Sequence, residues 1–136
     1  MNAAKIVFSL VALFFLFQAL SIWSWNQYVK CLQPKGIVKV SDYFDRFGEP
    51  RSIVVIQLNG SNYYRIVGKF PNCPSGALAL PSSYPAYLFD ESGHYVSWCT
   101  DPGDIGYLWP KGWDGMGSLV ELKSFEKEFG INPISK

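Results

Sequence analysis

Between Ile6 and Val29 the chain carries no charged residue over twenty-four positions, and from Ile6 to Trp25 only Ser9, Gln18, Ser21 and Ser24 interrupt the apolar run. About twenty residues at 1.5 Å rise span roughly 30 Å, the hydrocarbon thickness of a bilayer. A soluble core helix would have to hide a surface that is apolar on every side. With 136 residues in all, the rest of the chain is too small for that. Residues 6–25 are therefore expected to meet a lipid bilayer.

Two fates compete for this segment. Trp23, Trp25 and Tyr28 stand where an interfacial aromatic belt would close a span that begins near Lys5, which favours a retained single-pass anchor. Lys5, the run Ile6 to Phe17 and the small-x-small site Ala19-Leu20-Ser21 also read as a cleavable secretory signal, which would release a soluble secreted form. Tyr28-Val29-Lys30 before Cys31 lacks the small residues of a lipobox. Charge counting, with Lys30, Lys35 and Lys39 after the span, favours a cytoplasmic domain. The signal-like start and the low-charge, Trp/Gly/Pro-rich remainder favour the outside, and the domain is expected to be extracytoplasmic.

The organisation that follows is an anchor or signal over residues 1–29, a juxtamembrane linker over 30–37, an α+β domain over 38–130 and a tail over 131–136. About a hundred residues make one small domain. Ten Phe, eight Tyr and five Trp must supply much of its core, because each large ring buries more apolar area than an aliphatic side chain. Twelve Lys and Arg against eleven Asp and Glu, with no basic run, give nucleic acid no electrostatic footprint.

Val40, Tyr43, Phe44 and Phe47 recur at helical spacing, with Ser41 as the expected N-cap and Gly48 as the exit. Ser52 to Leu58, the Asn59-Gly60 turn and Tyr63 to Phe70 predict a first hairpin. Four prolines between Phe70 and Pro85 limit Gly76 to Leu80 to a short extra edge strand. Ala86 to Asp90 and His94 to Cys99 flank Glu91-Ser92-Gly93 as a second hairpin, whose register pairs Asp90 with His94, Leu88 with Val96 and Ala86 with Trp98. Ser118-Leu119-Val120-Glu121 reads as a capping box for a helix that ends at Gly130. The expected fold is a small antiparallel sheet of two hairpins with two short helices packed on it.

The stretch Ser41 to Gly68, with its "RFGEP", resembles the helix–G-x-P–strand unit of small envelope lipoproteins of the SmpA/OmlA type. The likeness covers under a quarter of the chain and departs from that pattern in lacking a lipobox. No functional residue is carried over from it.

No catalytic or cofactor motif is present: neither G-x-G-x-x-G nor a P-loop occurs, and no C-x-x-C or Cys/His zinc spacing exists. His94 is the only histidine, and Cys31, Cys73 and Cys99 are the only cysteines. Cys73 and Cys99 are the expected disulfide pair, since Cys31 lies close to the membrane. The loop from Thr100 to Gly117 holds five Gly, two Trp and three Asp. Its Tyr107, Trp109 and Trp113 are candidate anchors for a protein or glycan partner. Asp101, Asp104 and Asp114 are candidate ligands for a hard cation, although Asp-Pro-Gly-Asp is ordinary turn chemistry. The leading expectation is a membrane-anchored, non-enzymatic binding or accessory domain that uses no cofactor. The alternative is a small metal-assisted hydrolase that joins the Asp cluster to His94.

Overall fold

The structure, a computed structural model, describes residues 2–69, 84–99 and 117–132. They fall into two bodies, one formed by residues 2–33 and the other by the remainder. The first is a single helix, α1 (Ala3–Leu32), capped at its start by the Asn2 side chain, which accepts from the Ala4 amide at 3.2 Å. Its most apolar stretch has a mean hydropathy of 2.3 and is not buried by protein, so the helix is long and apolar enough to cross a membrane. It also runs past Trp23, Trp25 and Tyr28, carrying Cys31 on its last turn rather than in a linker.

The second body is α+β, as the hydrophobic patterning predicts. In chain order it contains α2 (Val40–Phe47), β1 (Ser52–Leu58), β2 (Ser61–Val67), β3 (Ala86–Phe89), β4 (Tyr95–Cys99), β5 (Ser118–Leu119) and α3 (Leu122–Phe129). The strands form one antiparallel sheet in the order β4-β3-β2-β1-β5. Asn59 and Gly60 both take positive φ, 51° and 80°, the conformation of a type I′ turn, which matches the right-handed twist of the strands it joins. That turn sets Leu58 opposite Ser61, and β2 accordingly begins two residues earlier than Tyr63.

The second hairpin corrects its expected register. Asp90 and His94 do close the turn, through Asp90 N–H donating to the His94 carbonyl at 2.9 Å. Between Leu88 and Phe89, however, the pairing slips, so that Phe89 faces Tyr95, Leu88 faces Ser97, Tyr87 faces Trp98 and Ala86 faces Cys99. Val96 is the extra residue of a bulge, and one extra residue exchanges the faces of everything beyond it. Trp98 consequently stacks on Tyr87, with ring centroids 6.2 Å apart. Cys99 moves to the opposite face, beside Ala86 and Val67.

Both helix starts also differ from expectation. The N-cap of α2 is Lys39, and it is the Asp42 carboxylate that accepts the Val38 and Lys39 amides, at 3.0 and 2.9 Å. Those two bonds hold the Asp42 pKa below its ordinary value, since they favour the ionised form. Ser118 caps nothing: it pairs with Val55 as part of β5. Backbone pairing to an existing strand wins over a local cap there, and α3 starts three residues later.

The two helices cover one face of the sheet through an aromatic cluster. Tyr43 of α2 lies 5.2 Å from Tyr87 and 6.4 Å from Phe89, centroid to centroid. Phe125 of α3 lies 5.2 Å from Tyr64 and 6.1 Å from Phe44, so it joins both helices to β2. Each buried ring contributes about 1.5–3 kcal/mol. The opposite face also holds buried residues, Ile56, Ala86 and Leu88 among them.

Burial raises the phenol pKa of Tyr43, Tyr64 and Tyr95, and the hydrogen bond to Glu128 raises that of Tyr64 further. A phenol whose folded pKa lies above its unfolded value contributes stability that is fully present below about pH 10 and is lost as pH rises beyond it. Urea midpoints measured from pH 7 to 11.5 are expected to hold level with respect to these groups until about pH 10 and then fall. Tyr43→Phe should flatten the fall. An unchanged slope in that variant would rule out Tyr43 as its source.

Candidate functional site

β4 and β5 lie at opposite edges of the sheet, so the aromatic connection between Cys99 and Gly117 joins one edge to the other. Four strand spacings of about 4.8 Å separate those edges, roughly 19 Å. The re-entry point is held by the pairs Val54 with Leu119 and Val55 with Ser118, and by Val120 N–H donating to the Ile53 carbonyl at 2.9 Å. Tyr107, Trp109 and Trp113, the expected anchors, lie outside the described residues, as do Asp101, Asp104, Asp114 and the segment Gly76 to Leu80.

Beside the re-entry point a groove of about 280 Å³ runs between the start of β1 and the β5–α3 junction, with Arg51, Ile53, Leu119 and Leu122 among its walls. Leu119 is 80% exposed, the most open large apolar residue among the described residues of this body. Glu49 and Arg51 give the rim one charge of each sign. Ordinary small-molecule sites occupy about 300–1,000 Å³. The groove falls just under that range and would admit one or two side chains of a partner. Arg51 is itself braced, its guanidinium 3.8 Å from the centre of the Tyr84 ring.

His94 sits at the start of the second hairpin's return strand, with a side chain that is 62% exposed. Its Nδ1 lies 3.7 Å from Asp90 Oδ1. The same oxygen accepts the Ser92 and His94 amides at 3.0 and 2.8 Å. Asp90 is thereby committed to closing the turn, and the cross-strand pair is a hairpin element worth a few tenths of a kcal/mol to about 1. Among the described residues no group of three or more His, Cys, Asp or Glu is placed to hold a metal ion.

The expected Cys73–Cys99 bridge does not form. Cys99 is a buried thiol, whereas Cys31 is disulfide-bonded; Cys73 lies outside the described residues. The bulge accounts for part of the difference, because it turns Cys99 toward Ala86 and Val67. Cys31 lies on the last turn of α1, partly exposed. Proximity to the apolar run argued against Cys31 in the sequence, yet Cys31 is the bonded cysteine.

Compared with known proteins, the chain matches no family model, no curated protein and no solved structure. The likeness of Ser41 to Gly68 to the SmpA/OmlA type therefore rests on its motif alone.

Proposed function

We propose that this chain is a single-pass, membrane-anchored, non-enzymatic binding or accessory module. Its α+β domain faces the extracytoplasmic side and recognises a protein or envelope component through the aromatic, glycine-rich connection that carries Tyr107, Trp109 and Trp113. The observation that carries the reading is α1, whose apolar surface is left uncovered along the span while the chain beyond it closes a separate aromatic core. A helix with that surface needs lipid around it.

Two further features support the assignment. The disulfide at Cys31 stands immediately beyond the apolar span, and such bonds persist in oxidising compartments outside the cytoplasm. The binding connection is tied to opposite sheet edges, with the exposed Leu119 groove beside one tie. Long aromatic loops positioned by a rigid scaffold are the usual carriers of recognition.

N-terminal sequencing after carbonate extraction should find the start of the chain intact in the membrane pellet. A mature chain that begins at Ile22 in the supernatant would establish the secreted form instead. Protease added to intact cells should digest a C-terminal tag, and a protected tag would reverse the assigned side. Photocrosslinking in the native membrane should capture a partner, and Trp109→Ala with Trp113→Ala should reduce capture tenfold or more, the scale of buried aromatic anchors. Equal capture by the double variant would remove the loop from the reading.

A further inference from the structure

Gln18 lies at the middle of the charge-free run Ile6 to Val29, and its side chain is exposed on the surface of α1. In a bilayer that surface faces hydrocarbon. A carboxamide has two N–H donors and an acceptor oxygen, and hydrocarbon offers partners for none of them. Val11, Phe14, Gln18, Ser21 and Trp25 alternate spacings of three and four, which places them along a single seam of the kind two helices share. Val11, Phe14 and Trp25 are 48%, 59% and 39% exposed, Gln18 is exposed and Ser21 is half-buried, so the large side chains of the seam stand open.

We propose that α1 pairs in the membrane with α1 of a second copy, as a parallel dimer closed by reciprocal hydrogen bonds between the two Gln18 carboxamides. The occupant is a second copy because the amide is complementary to itself, each oxygen accepting an N–H of the other. Copies inserted in the same orientation hold residue 18 at the same depth. A two-fold axis then brings Gln18 against Gln18 and the small Ser21 beside it, where the helices can approach closely. An unrelated helix would need a polar group at that depth to do the same. Ser9, nine residues earlier, projects about 180° away from Gln18 and marks the face that does not pair.

The inference rests on α1 being retained as an anchor, and the experiment separates the two claims. Full-length chain, labelled once at its C-terminus, is placed in phosphatidylcholine vesicles after carbonate extraction has shown whether it stays in membranes. Single-molecule photobleaching then counts copies per complex over a dilution series. Two-step bleaching is expected for the wild type, and Gln18→Leu should weaken association roughly 3- to 30-fold, the range of single interhelical polar contacts in membranes. Gln18→Asn should keep most of the association, and Ser9→Leu should leave it unchanged.

A chain released by carbonate overturns the anchor and the dimer together. A retained chain that bleaches in one step at every dilution overturns the dimer alone. So does a Gln18→Leu variant that associates like the wild type, or a Ser9→Leu variant that loses as much. Association of copies in cells but not in the purified vesicles would likewise overturn direct pairing of two α1 helices.

Discussion

Phe125→Ala is expected to destabilise the domain by about 3–5 kcal/mol. Phe125 has no exposed surface and is the one buried residue of α3. Its ring lies 4.6 Å from Phe129, 5.2 Å from Tyr64 and 6.1 Å from Phe44, centroid to centroid. Truncation therefore removes a side chain that α2, α3 and β2 all pack against, and leaves a cavity that those rigid rings fill poorly. A single hydrogen bond near this site, Tyr64 Oη donating to Glu128 Oε1 at 3.0 Å, contributes about 1 kcal/mol and cannot hold α3 in its place. Small domains have a total stability of about 5–15 kcal/mol, so the loss is a large fraction of the whole. For a domain of this size each kcal/mol moves Tm by about 4–8 °C. Thermal unfolding of the full chain in detergent, followed by near-ultraviolet circular dichroism, should show a drop of more than about 12 °C. A drop of a few degrees would mean that α3 is not docked through Phe125.

Local chemistry was legible in the sequence where one signal acted alone. Asn59-Gly60 needs positive φ at two successive positions and little else forms there, so the first hairpin and its turn could be read directly, although β2 begins at Ser61 rather than Tyr63. The apolar stripe of α2 likewise appears as buried Val40, Tyr43 and Phe44. Misreadings arose where two signals competed. Ser118 and Glu121 have capping-box spacing, but the unsatisfied edge of β1 takes Ser118 and Leu119 as a strand, because tertiary pairing outweighs a cap worth about 1 kcal/mol. The bulge at Val96 has no mark in the sequence: Tyr95 to Cys99 offers side chains that suit either face, so alternation could not locate the extra residue. The candidate site was legible only as composition. Pairwise geometry among Cys31, Cys73 and Cys99 depends on which residues end α1 and which way β4 turns, and neither follows from local pattern.

Gly93→Ala should be nearly as damaging as the loss of Phe125, for a different reason, and a second glycine calibrates it. Gly93 adopts φ of +79°, where a side chain costs roughly 1–2 kcal/mol through the clash of Cβ with the following carbonyl. A Cβ there would also sit 3.0 Å from the Phe129 ring and 3.2 Å from Val40 Cγ1, so the hairpin would have to move off both helices. Overpacking of this kind costs about 1–3 kcal/mol, for a combined loss of about 2–5 kcal/mol. The position resists relief by a backbone shift, because the Gly93 carbonyl accepts the Val40 amide at 2.8 Å and its own amide donates to Asp90 at 2.9 Å. Gly60 has nearly the same backbone, with φ of +80°, but a Cβ on it would meet nothing within 4 Å. Gly60→Ala should therefore show the backbone cost alone. Urea unfolding of both variants in the full chain measures the difference, which is the packing contribution of the contact between the hairpin and the two helices. Equal losses for Gly93→Ala and Gly60→Ala would mean that Phe129 and Val40 yield freely, and that the hairpin is not wedged between the end of α3 and the start of α2.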